Sequence, residues 1–288
     1  MGGEFTSDVL SIDHDGAVAT LWLDRPEAGN AMGPSFWHDL PLAMADLSSD
    51  DGVRAVVLAA RGRHFSVGLD LKALDAILPG ESGAVGAGDG SAAPRTRSVA
   101  SRARSSLQAI LRLQASVTAV ADCTKPTIAA VHGSCIGGGV DLIAACDIRL
   151  ASADAVLSVR EAKMAIVADL GSLQRLPRII GAGHVAELAF TAKDIRADRA
   201  REIGLVNAVH PDAAATVEAA RAMASDIAAN SPLAVQGAKA VLSAGDGLTV
   251  AQGLDYVATW NAAMLASDDL TEAMAAFMAK RPPRYTGT

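Results

Sequence analysis

The 288-residue sequence predicts an α/β fold with a helical C-terminal region. Three observations carry that expectation. Short apolar strand patterns alternate with amphipathic helical ones over the first two thirds of the chain. A glycine run joins a strand to a helix near residue 138. Beyond about residue 205 the strand patterns largely vanish and Ala- and Met-rich helical patterns take over.

Taken in order, residues 18–23 and 55–58 read as strands, the second apolar enough to be buried on both faces. Between them Pro34 suits a first helical turn, and Phe36, Trp37, Leu40, Ala43, Met44 and Leu47 recur near helical spacing. Pro41 falls inside that pattern and predicts a kink, because proline removes a donor and crowds the preceding turn. Residues 79–98 shift to Gly, Ala, Ser and Pro and predict a mobile surface loop, since they hold too little apolar surface to order themselves. Leu107, Ile110, Leu111, Val117 and Val120 then mark an amphipathic helix, residues 127–131 a buried strand, and Gly137, Gly138 and Gly139 open the next helix. Helices are expected over 213–229, 233–244, 249–266 and 269–279, with Asp269 and Glu272 as a capping box. Tyr256, Trp260 and Met264, four apart, form a stripe suited to packing against the body or another subunit.

A net charge of −7 and a pI near 5.3 argue against a general nucleic-acid binder, which needs a basic face to release counterions from phosphates. No run approaches the ~20 apolar residues of a bilayer span, so no membrane insertion is expected. The ends show neither a secretory signal nor a peroxisomal tripeptide, and a cytoplasmic address is the expectation. Cys123, Cys135 and Cys146 match no metal or redox spacing and are expected to be reduced packing residues; no metal site is expected.

Chemistry concentrates around the glycine run. A helix start offers unpaired N–H groups to an anion. A nucleotide-phosphate loop would place Lys and Ser or Thr after the glycines, where Val140 and Asp141 stand, so a developing oxyanion is the better ligand. The turn at Ser66, Val67 and Gly68 follows a strand and can turn another N–H outward. Asp141, Glu161 and Asp169 supply acid/base candidates. Singly, each has a plainer explanation: Asp141 complements its helix dipole, Asp169 caps the following helix, Glu161 is solvated beside Arg160. His132 reads as a satisfied core histidine.

The strings Lys125-Pro126-Thr127 to His132-Gly133, Cys135-Ile136-Gly137-Gly138-Gly139-Val140-Asp141-Leu142 and Ala145-Cys146-Asp147 resemble the enoyl-CoA hydratase/isomerase superfamily, the crotonases. Arg25-Pro26, Asn30-Ala31-Met32, Gly68-Leu69-Asp70-Leu71, Leu173-Gln174-Arg175-Leu176-Pro177 and Gly204-Leu205-Val206 extend the resemblance along nearly the whole chain. The resemblance is nearest to the dienoyl-CoA isomerases, whose three acidic positions match Asp141, Glu161 and Asp169. It implies a spiral of ββα units over 1–205, a helical trimerisation region over 206–288, and a homotrimer or homohexamer. It also implies an acyl-CoA substrate whose thioester oxygen meets the amides of Val67 and Gly138. Ser66, Gly68, Asp70 and Gly139 are the remaining substrate-binding residues by the same analogy. Catalysis would fall to Glu161 as base at C2 and Asp169 as acid at C6 of a 3,5-dienoyl thioester, with Asp141 biasing Glu161. No metal or redox cofactor is implied, since coenzyme A arrives as part of the substrate. Arg61, Arg63 and Lys72 are candidates for its phosphates. An enoyl-CoA hydratase acting on 2-enoyl-CoA and a non-catalytic acyl-CoA binder stay open as alternatives.

Overall fold

The computed structural model describes residues 5–77 and 98–288; the expected loop over 79–98 lies outside them but for Ser98. The chain begins with the hairpin β1 (Leu10–Asp15) and β2 (Val18–Leu23), followed by α1 (Pro34–Ser49), β3 (Ala55–Ala60) and a short α2 (Leu74–Ile77). After α3 (Val99–Asp122) come β4 (Thr127–Val131), β5 (Ser134–Ile136), α4 (Gly138–Ala144), β6 (Ile148–Ser152) and β7 (Val156–Ser158). The rest comprises α5 (Ser172–Ile180), α6 (Ala182–Thr191), β8 (Ile195–Arg196), α7 (Ala197–Glu202), β9 (Ala208–His210), α8 (Ala213–Ala228), α9 (Pro232–Ala244), α10 (Val250–Met264) and α11 (Asp268–Ala279).

Six strands form one sheet in the order β1-β2-β3-β4-β6-β9, parallel except for β1, and β5-β7-β8 form a second. The central strands are buried on both faces with period two. Val56, Leu58 and Ala60 join the larger core with α1, α3 and α4, whereas Ala55, Val57 and Ala59 face the smaller core under α8. Ala220, Ala224 and Ala228 recur every four residues on α8, so that helix presents one small-residue stripe to the sheet. The main sheet therefore takes a strand, β9, and a covering helix, α8, from beyond residue 205.

Successive turns of the chain each give one strand to each sheet and then a helix. Thus β4, β5 and α4 are followed by β6, β7 and α5, with β4 parallel to β6 and β5 parallel to β7. The preceding turn contributes β3 and the single residue Ser66, bridged in parallel to Cys135. That register stacks the loops after Ser66, β5 and β7 on one edge.

Helix α1 runs on through Pro41. The missing proline N–H frees the Trp37 carbonyl, and the buried Ser116 Oγ–H of α3 donates to it at 2.5 Å. Helix α3 starts earlier than its apolar pattern shows, because the Ser98 hydroxyl accepts the Ser101 N–H and caps it. The three cysteines are free and buried. His132 is buried, with Nε2 at 3.0 Å from the Gly62 carbonyl, but its Nδ1 meets no partner among the described residues.

In the C-terminal region Lys239 of α9 is buried against the body, its Nζ donating to Asp147 at 2.7 Å and to the Lys125 carbonyl at 3.0 Å. Trp260 of α10 packs where Gly237 has no side chain, while Tyr256 and Met264 stay partly exposed. The expected capping box on α11 is replaced. Ser267 caps the helix, Glu272 pairs with Arg281, and Asp269 turns inward to accept from Ser231 Oγ and the N–H groups of Thr286 and Gly287. The start of α9 and the last residues, folded back onto α11, supply those donors, so spacing along the chain does not reveal them.

Asp269 is 3% exposed. Asp269→Ala leaves two N–H groups and a hydroxyl without their acceptor and is expected to cost roughly 2–4 kcal/mol in denaturant unfolding. A loss under about 0.5 kcal/mol would show that water replaces the carboxylate freely.

Candidate active site

The stacked loops enclose a cavity of about 510 Å³. Trp37 of α1, Leu113 of α3, Ile136 and Leu170 supply apolar wall, and Val67, Gly68, Leu69 and Gly138 form one side. Glu161 and Asp169 face into it. Glu161 opens a 3-10 turn after β7, and Asp169 sits in the irregular segment before α5.

The Val67 amide is not available to a ligand, because its N–H donates to the Gly29 carbonyl at 3.0 Å. The Gly68 N–H is also used, by Ser66 Oγ at 3.1 Å. Among the described residues the next amide, that of Leu69, meets no acceptor, and neither does that of Gly138. Gly68 has φ +91°, and a Cβ on it would lie 2.8 Å from the Ile136 carbonyl and 3.7 Å from the Gly138 nitrogen. Only glycine fits there, and its left-handed turn brings the 66–69 loop against the glycine run. The amide pair is thus Leu69 with Gly138, a correction to the expected Val67 with Gly138. The bond that removes Val67 comes from a residue 38 positions away, which the local motif does not display; the side chain of Val67 still lines the cavity.

The other expected binding residues support the wall from behind. Ser66 is fully buried and also donates Oγ–H to the Asn30 carbonyl at 2.8 Å. Asp70 pairs with Arg25 at 2.8 Å, and that guanidinium holds its carboxyl below the usual range. Gly139 packs against Ser66 Cβ. Arg61 lies over the Trp22 ring and bonds Asp13, so it is already engaged.

Asp141 does not line the cavity. It is 1% exposed and accepts both the N–H and the Oγ–H of Ser172 at 2.6 Å, so from the first turn of α4 it also caps α5. Burial lifts its carboxyl to about 6 despite those bonds. Glu161 is lifted further, to about 7, first by burial and then by the like charge of Asp141. Its Oε2 is buried with no hydrogen-bond partner among the described residues. Burial also raises Asp169. Two carboxyl groups displaced upward toward neutrality, beside two unbonded amides in a mostly apolar cavity, can exchange protons with a substrate whose charge is held at an oxyanion.

The sequence matches the family described as "Enoyl-CoA hydratase/isomerase" over residues 13–89 and 93–288. It is 43% identical over 280 residues to the peroxisomal Delta(3,5)-Delta(2,4)-dienoyl-CoA isomerase of Arabidopsis thaliana, covering 97% of this chain and 96% of that one. It is 43% identical over 267 residues to the mitochondrial enzyme of that name from Rattus norvegicus, covering 92% and 77%. The crystal structure of enoyl-CoA hydratase from Bacillus anthracis superposes with a TM-score of 0.84 at 30% identity, covering 98% and 100%. The peroxisomal and mitochondrial relatives overturn the expected cytoplasmic address. Targeting signals are short receptor-read addresses that leave no mark on the fold, so their apparent lack carried little weight. With the family matched over nearly its whole length and its spiral of ββα units reproduced, the chain belongs to the enoyl-CoA hydratase/isomerase (crotonase) family.

Proposed function

We propose that the chain is a Δ3,5-Δ2,4-dienoyl-CoA isomerase. The observation that carries this reading is that Glu161 and Asp169, both raised in pKa, line one cavity beside the unbonded Leu69 and Gly138 amides. The 43% identity to isomerases of that name supports it. A 3,5-to-2,4 shift removes a proton at C2 and adds one at C6, which two separate carboxyl groups serve better than one.

The thioester carbonyl oxygen accepts the Leu69 and Gly138 N–H groups. Ionised Glu161 takes the C2 proton, and the C–H electron pair enters the conjugated system, with negative charge resting on the thioester oxygen. Protonated Asp169 then gives its proton to C6, leaving double bonds at C2–C3 and C4–C5. The steps are redox-neutral, and coenzyme A enters only as the substrate's carrier. Glu161 ends protonated and Asp169 ionised, so a proton returns through solvent before the next turnover. Each acid/base group contributes about 10²–10⁴ in rate and each oxyanion donor about 10²–10³, so neither device suffices alone. Asp141 touches no substrate; it holds the start of α5 and raises Glu161 by like charge.

Assembly into a trimer or hexamer through the C-terminal region is part of the same reading. Exposed Leu254, Leu265, Phe277 and Met278 on and after α10 and α11 are the surface such an interface would cover.

Asp169→Asn should lower conversion of 3,5-dienoyl-CoA to the conjugated 2,4-diene, followed by ultraviolet absorbance, by about 10²-fold or more. Binding of the acyl-CoA should change less than about twofold, and unimpaired turnover would remove Asp169 from the chemistry. The base must be ionised, so kcat/KM should fall as pH drops below about 7. In Asp141→Asn the amide oxygen still accepts from Ser172 but the charge is gone, so ionised Glu161 is favoured and this acid limb should move to lower pH. A limb that stays put would separate Asp141 from Glu161. An ester in place of the Leu69 amide should cost about 10²–10³ in kcat. The same change at Val67 should cost far less, and the reverse order would restore Val67 as the donor.

A further inference from the structure

The segment that carries Asp169 has little structure of its own. Residues 166–169 belong to no helix or strand, and Met164, Ile166 and Val167 are exposed. Yet a proton donor must sit within hydrogen-bond reach of one carbon atom. Two tethers hold the backbone here, one from α3 and one from Arg175 of α5, which α3 anchors. Gln114 Nε2 donates to the Asp169 carbonyl at 2.7 Å. Arg175 Nη1 donates to the next carbonyl, that of Leu170, at 3.2 Å, while its Nη2 donates to Thr118 Oγ1 at 3.1 Å. Gln114 and Thr118 lie four residues apart and so share a face of α3. The guanidinium reaches the loop by crossing Gly171, whose φ is +125° and where a Cβ would collide with Nη1.

Helix α3 itself is firmly placed. Leu113, Ser116, Val117 and Val120 are buried, and Ser116 is bonded to the carbonyl of Trp37, a cavity residue. The same helix therefore lines the cavity through Leu113 and fixes the main chain at 169 and 170 through the adjoining polar face.

We infer that Gln114, together with the Thr118–Arg175 pair, is a positioning element that sets where the Asp169 carboxyl stands relative to the far end of the conjugated system. This rests on the reading of Asp169 as proton donor. Gln114 touches no substrate. Removing its donor frees the carbonyl of Asp169 but leaves Glu161, Leu69 and Gly138 in place. The two proton transfers should then separate, C2 abstraction surviving while C6 protonation slows.

The test uses the full chain with 3,5-dienoyl-CoA in D₂O. Gln114→Met is close to isosteric and lacks the donor; Thr118→Val removes the hydroxyl partner of Arg175. Each should lower kcat for 2,4-diene formation by about tenfold or more, with KM within about twofold. Deuterium incorporation at C2 of recovered substrate should persist at the wild-type rate, and thermal melting of both variants should confirm folding. Loss of C2 exchange in parallel with isomerisation would mean a merely structural role and overturn the proposal. Unchanged isomerisation in both variants, with Asp169→Asn inactive, overturns this proposal alone. Full activity of Asp169→Asn overturns the reading of Asp169 and this inference with it.

Discussion

The site depends on one buried joint, the Asp141 carboxylate bonded to the N–H and Oγ–H of Ser172. Asp141 belongs to α4, the helix that begins with Gly138, and Ser172 begins α5, the helix that follows Asp169. One side chain thus ties the helix that begins at the unbonded Gly138 amide to the helix that follows Asp169. It also places a negative charge near Glu161. Both consequences come from one group: the cap of α5 needs an acceptor there, and an ionised one keeps Glu161 protonatable near neutral pH. A neutral acceptor would serve the joint and lose the second effect.

That joint works because the frame around it is rigid for a simple reason. Strands β2, β3 and β4 alternate between two cores, so a one-residue slip would exchange every side chain between α1, α3 and α4 on one face and α8 on the other. Fixed register in the main sheet fixes the small one through the paired turns β4–β5 and β6–β7. The loops bearing Leu69, Gly138 and Glu161 are then brought to one edge by register alone. Asp169 is the exception, lying beyond regular structure and borrowing its order from α3 and Arg175.

Much of the frame was legible in the sequence because its signals are local. The runs at 18–23, 55–58 and 127–131 read as strands, the second apolar enough for burial on both faces, and the glycine run followed by Val140 and Asp141 points to an anion other than nucleotide phosphate. What was not legible depended on partners far along the chain. Val67 loses its amide to Gly29, Asp70 answers to Arg25 at a separation of 45, and Asp141 answers to Ser172 at 31. Nothing near Pro41 announces that Ser116 takes up the freed Trp37 carbonyl. The unbonded Leu69 amide had one local clue: a glycine free to take positive φ reorients the peptide that follows it, which singles out the residue after Gly68 on backbone grounds.

The carboxyl groups of the cavity also depend on what is kept away from them. Arg160 precedes Glu161 and lines the same cavity, and a guanidinium bonded to Glu161 would drive its pKa far below neutrality and stop it from carrying a proton. Instead the Arg160 guanidinium is paired with Asp194, and Arg160 acts on Glu161 only through its backbone N–H, while burial and the charge of Asp141 raise Glu161. Arg175 spends its donors on the Leu170 carbonyl and Thr118, and its charge acts on Asp141. Both guanidinium groups are thus held by partners other than Glu161 and Asp169. Burial and like charge can then dominate at Glu161, which is the condition for a carboxyl group to serve as base and be protonated again near neutral pH.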